Sequence, residues 1–264
     1  MPPSFPVVVK PRFGSGSRAV VICETWSALQ RHLGQALPAD EDMLVEEFAA
    51  GVEYGMDAAV VGGRLEVILL REKIITPLPY RQAVGYYSVA DSDRDALVKE
   101  RANTMMQAVV EVLGFESCLL HADLLWDGAS MFVVEVSARP SGHHLHDLFT
   151  PLATGVDPVR EFTKFAVPSL GLGYSFQPMA TRSLLIRYFD FRDGTVVSVP
   201  RLERVREDFP LVKYEEHCLG KHMDRVTDGP TLMQRGYFIL EGESRAQLES
   251  DSARLLKQFV VEKD

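Results

Sequence analysis

Asp123 and Glu135 are the two side chains whose surroundings point most directly to chemistry. The run Phe132-Val133-Val134-Glu135-Val136-Ser137-Ala138-Arg139 sets β-favouring residues around polar ones at every second position, which predicts Glu135, Ser137 and Arg139 on one strand face. Upstream, Leu119-Leu120-His121-Ala122-Asp123-Leu124-Leu125 reads as a partner strand, and Asp127-Gly128-Ala129-Ser130 between them has the composition of a hairpin turn. Pairing about that turn can set Asp123 opposite Glu135. Carboxylates opposed on one face stand roughly 5 Å apart at Cβ and repel, so a proton or cation must lie between them. A hard divalent cation with oxygen ligands, Mg²⁺ above all, suits that demand. The competing reading is structural: Arg139 or another base neutralises Glu135.

Three other clusters carry candidate chemistry. Lys10 interrupts the apolar run Pro6-Val7-Val8-Val9-Lys10-Pro11, where its ammonium either meets an anion such as a phosphate or snorkels from an edge strand to solvent. The following Gly14-Ser15-Gly16-Ser17 is either an ordinary turn or a loop whose backbone N–H groups close on phosphate oxygens. It lacks the Gly-Lys-Ser/Thr ending and following helix of a Walker loop. Glu46 and Glu47 end what reads as a buried strand, Met43 to Phe48, with Glu53 just past Ala49-Ala50-Gly51. His143, His144 and His146 follow Gly142 without an acid or cysteine spaced to complete a zinc set, and read as helix-start histidines that line a substrate pocket.

The elements needed to position these groups are an α+β assembly. Short strands at 6–11 and 19–23 precede a helix from Trp26 to about Gln35, with Thr25 as its N-cap. Strands at 54–61 and 64–72 flank Gly62-Gly63, and a helix from Asp93 to Leu113 ends at Gly114. Thr76-Pro77-Leu78-Pro79-Tyr80 must be loop. Two short helices are expected between Leu145 and Ala166, broken near Gly155. The Gly/Pro-rich stretch 168–178 divides the chain into residues 1–168 and a smaller α+β lobe at 169–264. In that lobe a hairpin turns at Asp193-Gly194, and a strand at 236–242 precedes a helix from Ser244 to Val260.

Composition limits the partners. The chain has 264 residues, 46% of them hydrophobic, and a net charge of −9, so it is globular and poorly suited to a nonspecific hold on nucleic acid or an anionic membrane. No segment is long and apolar enough to span a bilayer, and no secretory leader pattern opens it. Cys23, Cys118 and Cys218 are neither paired by motif nor spaced for metal, which fits a cytoplasmic location.

From Phe5 to Ala166 these motifs, in this order, resemble the ATP-grasp superfamily, in particular its carboxylate–amine ligases, the L-amino-acid ligases and carnosine-synthase-like enzymes. The resemblance implies an ATP-grasp fold, two α+β lobes clasping nucleotide. It also implies that Lys10 and Gly14, Ser15, Gly16 and Ser17 grip the phosphates of ATP. The segment Glu46-Glu47-Phe48-Ala49-Ala50-Gly51-Val52-Glu53 is similar to the one whose backbone reads adenine, at Glu47, Phe48 and Ala49 with Glu46 assisting, and whose final acid, Glu53, binds ribose. Asp123, Glu135 and Ser137 resemble the ligands of Mg²⁺ or Mn²⁺, and Arg139 the arginine that meets the transferring phosphate. Asp123 stands where glutamate is more usual, Ser137 where asparagine is usual, and Gly85-Tyr86 where Gly-His is frequent.

The resemblance also suggests that Arg71 or Lys73, beside the loop bordering the acceptor site, meets a substrate carboxylate or phosphate. The implied reaction activates a carboxylate as an acylphosphate, which an amine attacks; both substrates are small molecules, amino acids among them. Members of the family carry a domain ahead of the point where this chain begins. A missing domain or a homodimer is therefore an expectation, and a noncatalytic nucleotide-binding module is the alternative function.

Overall fold

The computed structural model of the protein describes residues 4–13, 16, 19–35, 42–77, 81–90 and 93–263. The chain opens on β1 (Val7–Pro11), β2 (Val21–Cys23), α1 (Trp26–Gln35) and β3 (Met43–Glu47), with the strands in antiparallel order β2-β1-β3. Alternation decides sidedness. Val7 and Val9 are fully buried and pack with Cys23 of β2 and Leu29 of α1, whereas Val8 and Lys10 face a cavity on the other side. Thr25 caps α1 as expected, its hydroxyl accepting from the Ala28 N–H at 3.2 Å. The expectation of a buried strand at 43–48 is corrected: β3 is an edge strand, exposed from Leu44 to Glu47, because its outer side has no partner strand among the described residues.

The next elements are β4 (Val52–Val61), β5 (Arg64–Ile75), β6 (Ala83–Ser88), α2 (Asp93–Leu113), β7 (Ser117–Trp126) and β8 (Met131–Ser137). A π turn at Leu145–Phe149 leads into α3 (Thr150–Thr154) and, past Gly155, α4 (Pro158–Ala166). The remaining elements are β9 (Leu184–Tyr188), β10 (Gly194–Ser198), α5 (Leu202–Asp208), β11 (Leu211–Glu216), β12 (His222–Met223), α6 (Gly229–Met233), β13 (Gly236–Glu241), α7 (Arg245–Leu256) and β14 (Val260–Glu262). One antiparallel sheet of eight strands runs β11-β13-β9-β6-β5-β4-β7-β8, so strands from both sides of the stretch 168–178 share it.

Two expectations for the last third are corrected. Asp193-Gly194 does not close a hairpin, because β9 joins the large sheet while β10 lies between β12 and β14 in a separate small one. A Cβ on Gly194 would stand 2.2 Å from the Glu262 carbonyl oxygen, so glycine there serves close strand packing. The final helix ends at Leu256 rather than Val260, since Val260 to Glu262 pair with β10.

The large sheet separates packing from polarity by residue parity. Tyr54, Met56, Ala58 and Val60 of β4, with Leu120, Ala122 and Leu124 of β7, are buried against Val98, Ala102, Met106 and Val110 of α2. The opposite parity leaves Glu53, Gly55 and Asp57 of β4 beside His121, Asp123 and Leu125 of β7 on the other face. No described helix is long and apolar enough to cross a membrane.

Candidate functional site

A cavity of about 690 Å³ lies between the three-stranded sheet and the polar face of the large sheet. Lys10, Glu46 and Glu47 reach it from β1 and β3, Glu53 and Lys73 from β4 and β5, Asp123 from β7, and Glu135 and Ser137 from β8. The expected hairpin is present: Asp127 Oδ1 accepts from the N–H groups of Ala129 and Ser130 at 2.8 and 2.7 Å, and β7 and β8 pair with Asp123 directly opposite Glu135. Both acids line the same cavity.

Each polar group at this wall is already engaged. Lys73 Nζ lies 2.7 Å from Asp123 Oδ2 and 3.7 Å from Glu53 Oε2. Arg81 donates from Nε and Nη2 to the other Glu53 oxygen, Oε1, at 2.9 and 2.8 Å. His121 Nε2 stands 3.4 Å from Asp123 Oδ1, and its Nδ1 stands 3.7 Å from Asp57 Oδ1. Behind it, Asp57 is held by two nitrogens of the fully buried Arg71, one at 2.9 Å, and accepts from the Thr150 hydroxyl at 2.7 Å. A chain of alternating charge thus runs from the core to the cavity rim.

The charges follow from those contacts. Burial alone would raise the Asp123 carboxyl, but the Lys73 ammonium and then His121 hold it well below the usual carboxylate range. For Lys73, burial opposes the charge and Asp123 foremost overcomes it, so its ammonium stays protonated beyond the ordinary lysine value. His121 is likewise raised despite burial, through Asp123 and Asp57.

Of the residues expected from the sequence, Lys10, Gly16, Glu46, Glu47, Phe48, Ala49, Glu53, Asp123, Glu135 and Ser137 line the cavity. Gly14, Ser15 and Ser17 lie outside the described residues. Arg139 is the exception: β8 ends at Ser137, a turn closed by Arg139 N–H to Ser137 O at 2.9 Å carries the chain off the ladder, and the exposed guanidinium donates to Pro140 O at 2.9 Å. Strand alternation therefore stops two residues short of it. Lys10 finds its anion within the protein, Glu46 Oε2 at 2.6 Å. Arg71 cannot meet a ligand, being sealed against Asp57, whereas Lys73 faces the cavity.

His143 and His144 take left-handed backbone before the π turn, His146 Nδ1 pairs with Ser141 O, and none of the three lines this cavity. Among the described residues no three His, Cys, Asp or Glu side chains converge as a metal set. Sequence reasoning missed Arg81 and His121. His121 shares strand parity with Asp123, which was a usable signal; Arg81 carried none, since its partner is 28 residues away in β4.

The donors fit a hard divalent cation in kind: two carboxylates in opposed register with a hydroxyl, Ser137 Oγ, 3.4 Å from Glu135 Oε1. The Lys73 ammonium already stands as a cation against one of them.

This cavity between two sheets lies within the segment that a family model matches, and the chain belongs to the ATP-grasp family: the model for the ATP-grasp domain matches residues 2–143. Its relatives sharpen the comparison. An uncharacterized protein of Sinorhizobium fredii, y4rH, is 26% identical over 96% of this chain and 52% of its own length. Carnosine synthase 1 of Mus musculus is 27% identical over 58% of this chain and 20% of its own. An L-amino acid ligase of Bacillus licheniformis shares the fold over 100% of this chain and 66% of its own, with a TM-score of 0.74 at 18% identity. The chain thus spans about half the length of the first of these and less of the second.

Proposed function

We propose that this chain forms the nucleotide site of an ATP-dependent ligase that joins a small carboxylate to an amine through an acylphosphate, with amino acids among its substrates. The observation that carries this reading is the balance of charge in one cavity. The acids Glu46, Glu47, Glu53, Asp123 and Glu135 outnumber the bases Lys10, Arg12, Lys73 and Arg81, so a triphosphate carrying a divalent cation meets less repulsion there than a bare one and brings the acids a counter-ion. The carnosine synthase and amino acid ligase relatives support the ligase class.

In this reading Asp123, Glu135 and Ser137 hold Mg²⁺ or Mn²⁺, which when bound offsets charge on the transferring phosphate. Lys10, released from Glu46, and the Gly14–Ser17 loop orient the phosphates. Phe48 and Ala49 border the base with Glu46 and Glu47, and Glu53 receives the ribose. Arg139, now exposed beside the end of β8, turns inward to meet oxyanion charge once substrate is bound. The residues at 1–168 hold the nucleotide, and the lobe at 169–264 backs them; a further domain or a second copy supplies the rest of the acceptor site.

The test is ATP turnover to ADP and phosphate with a panel of amino-acid pairs. Amine-dependent phosphate release is expected, falling at least about a hundredfold in Glu135→Gln, the scale of charge stabilisation a catalytic metal supplies. The outward Arg139 favours one second reading, a noncatalytic nucleotide-binding module: binding of Mg·ATP with no release under any pairing would establish it.

A further inference from the structure

Resting on the nucleotide-site reading above, we infer that Lys73 is a positioning residue that occupies the Asp123 metal ligand until nucleotide arrives, making metal and nucleotide bind as one event. Its Nζ sits 2.7 Å from Asp123 Oδ2 with the side chain 8% exposed, and His121 Nε2 lies 3.4 Å from the other Asp123 oxygen. Both Asp123 oxygens therefore already face a cationic or polar neighbour, the closer being the Lys73 ammonium on Oδ2.

The only other acid Lys73 approaches among the described residues is Glu53, at 3.7 Å, and Arg81 already makes two hydrogen bonds to that carboxylate. A cation entering alone must displace a buried ammonium that has no comparable anion to move to. A polyphosphate entering alone meets Glu46, Glu53, Asp123 and Glu135 along the wall. When both enter, Lys73 exchanges its carboxylate for phosphate oxygens and Asp123 turns to the metal. Each ligand thereby removes the obstacle to the other, and the coupling is reciprocal.

The experiment measures Mn²⁺ affinity of the full chain by electron paramagnetic resonance of free Mn²⁺, with and without a nonhydrolysable ATP analogue. In wild type the analogue should tighten Mn²⁺ by roughly 5–150-fold. Lys73→Met should bind Mn²⁺ at least about tenfold more tightly than wild type without analogue, the effect of removing one close charge, and should lose most of the analogue's enhancement. Arg12→Met, which removes a cavity cation paired with Asp42 instead, should stay within about twofold of wild type without analogue, separating displacement from general charge.

Glu53→Gln keeps Lys73 and leaves Asp123 as its one acid, so Mn²⁺ should weaken severalfold. This opposite sign carries the test should Lys73→Met fail to fold. Unchanged or weaker Mn²⁺ binding in Lys73→Met, or equal tightening in Arg12→Met, overturns the inference while leaving the nucleotide reading intact. Failure of wild type to bind the analogue at any Mn²⁺ concentration overturns both.

Discussion

At the scale of residues, the polar wall is backed by a buried ion pair that lies outside the cavity lining. Asp57 and Arg71 are 3% and 0% exposed, and the carboxylate accepts both guanidinium nitrogens and the Thr150 hydroxyl. Removing one partner strands a buried charge, so Asp57→Asn should destabilise the fold by about 3–5 kcal/mol at pH 7, read by urea unfolding. Burial would raise the Asp57 carboxyl, yet Arg71 and then His121 hold it far below the ordinary range. A carboxyl depressed in the folded state contributes stability that is complete above its unfolded value of about 3.9 and is lost as pH falls below it. The gap between wild type and Asp57→Asn should therefore narrow between pH 5 and pH 3, estimates drawn from that value. An equal gap at both would mean that the pair does not set the acid sensitivity.

At the scale of elements, what was legible in the sequence is what short-range pattern determines. The β7–β8 hairpin combines alternation with an Asp-Gly turn; the turn and the Asp123–Glu135 pairing are present, while an irregularity at Val134 shifts the register between that pair and the turn. The same turn signal at Asp193-Gly194 misled, because the pairing of β10 with β14 is settled by a strand more than sixty residues later in the chain. β6 was illegible for another reason: five of its six residues are buried, so no two-residue period separates its faces. Within the site, the strand acids could be read from their parity, but that Lys73 bridges Asp123 to Glu53 could not, since three strands must first align.

The turn into β4 shows how closely these elements meet. A Cβ on Gly51 would stand 2.4 Å from Trp126 O and 2.8 Å from a Leu125 methyl, and backbone cannot yield cheaply. Gly51→Ala should cost about 1–3 kcal/mol in thermal or urea unfolding by displacing β7 beside Glu53. A neutral result would show that the approach of β7 to this turn is loose.

Across the whole molecule, the cavity joins two parts of unequal solidity. The three-stranded sheet is anchored by a small cluster, Val7, Val9, Cys23 and Leu29, whereas the large sheet buries an extensive face under α2 and another against the π turn and α3. Local stability follows buried apolar contact, so amides of β1 and β3 should exchange with solvent faster than those of β4 and β7. The described glycine of the loop, Gly16, is tied to the start of α6, its carbonyl accepting from Gly229 N–H at 3.2 Å. A ligand spanning the cavity would engage Lys10 and Glu47 on one sheet and Glu53 and Asp123 on the other, and would tie the weaker part to the stronger. Adding the ATP analogue with Mg²⁺ should accordingly slow exchange most in β1 and β3. At ligand one hundred times its dissociation constant, mass action gives about 2.7 kcal/mol of added global stability. Protection confined to β4, β5 and β7, with β1 and β3 unchanged, would mean that the nucleotide binds the large sheet alone.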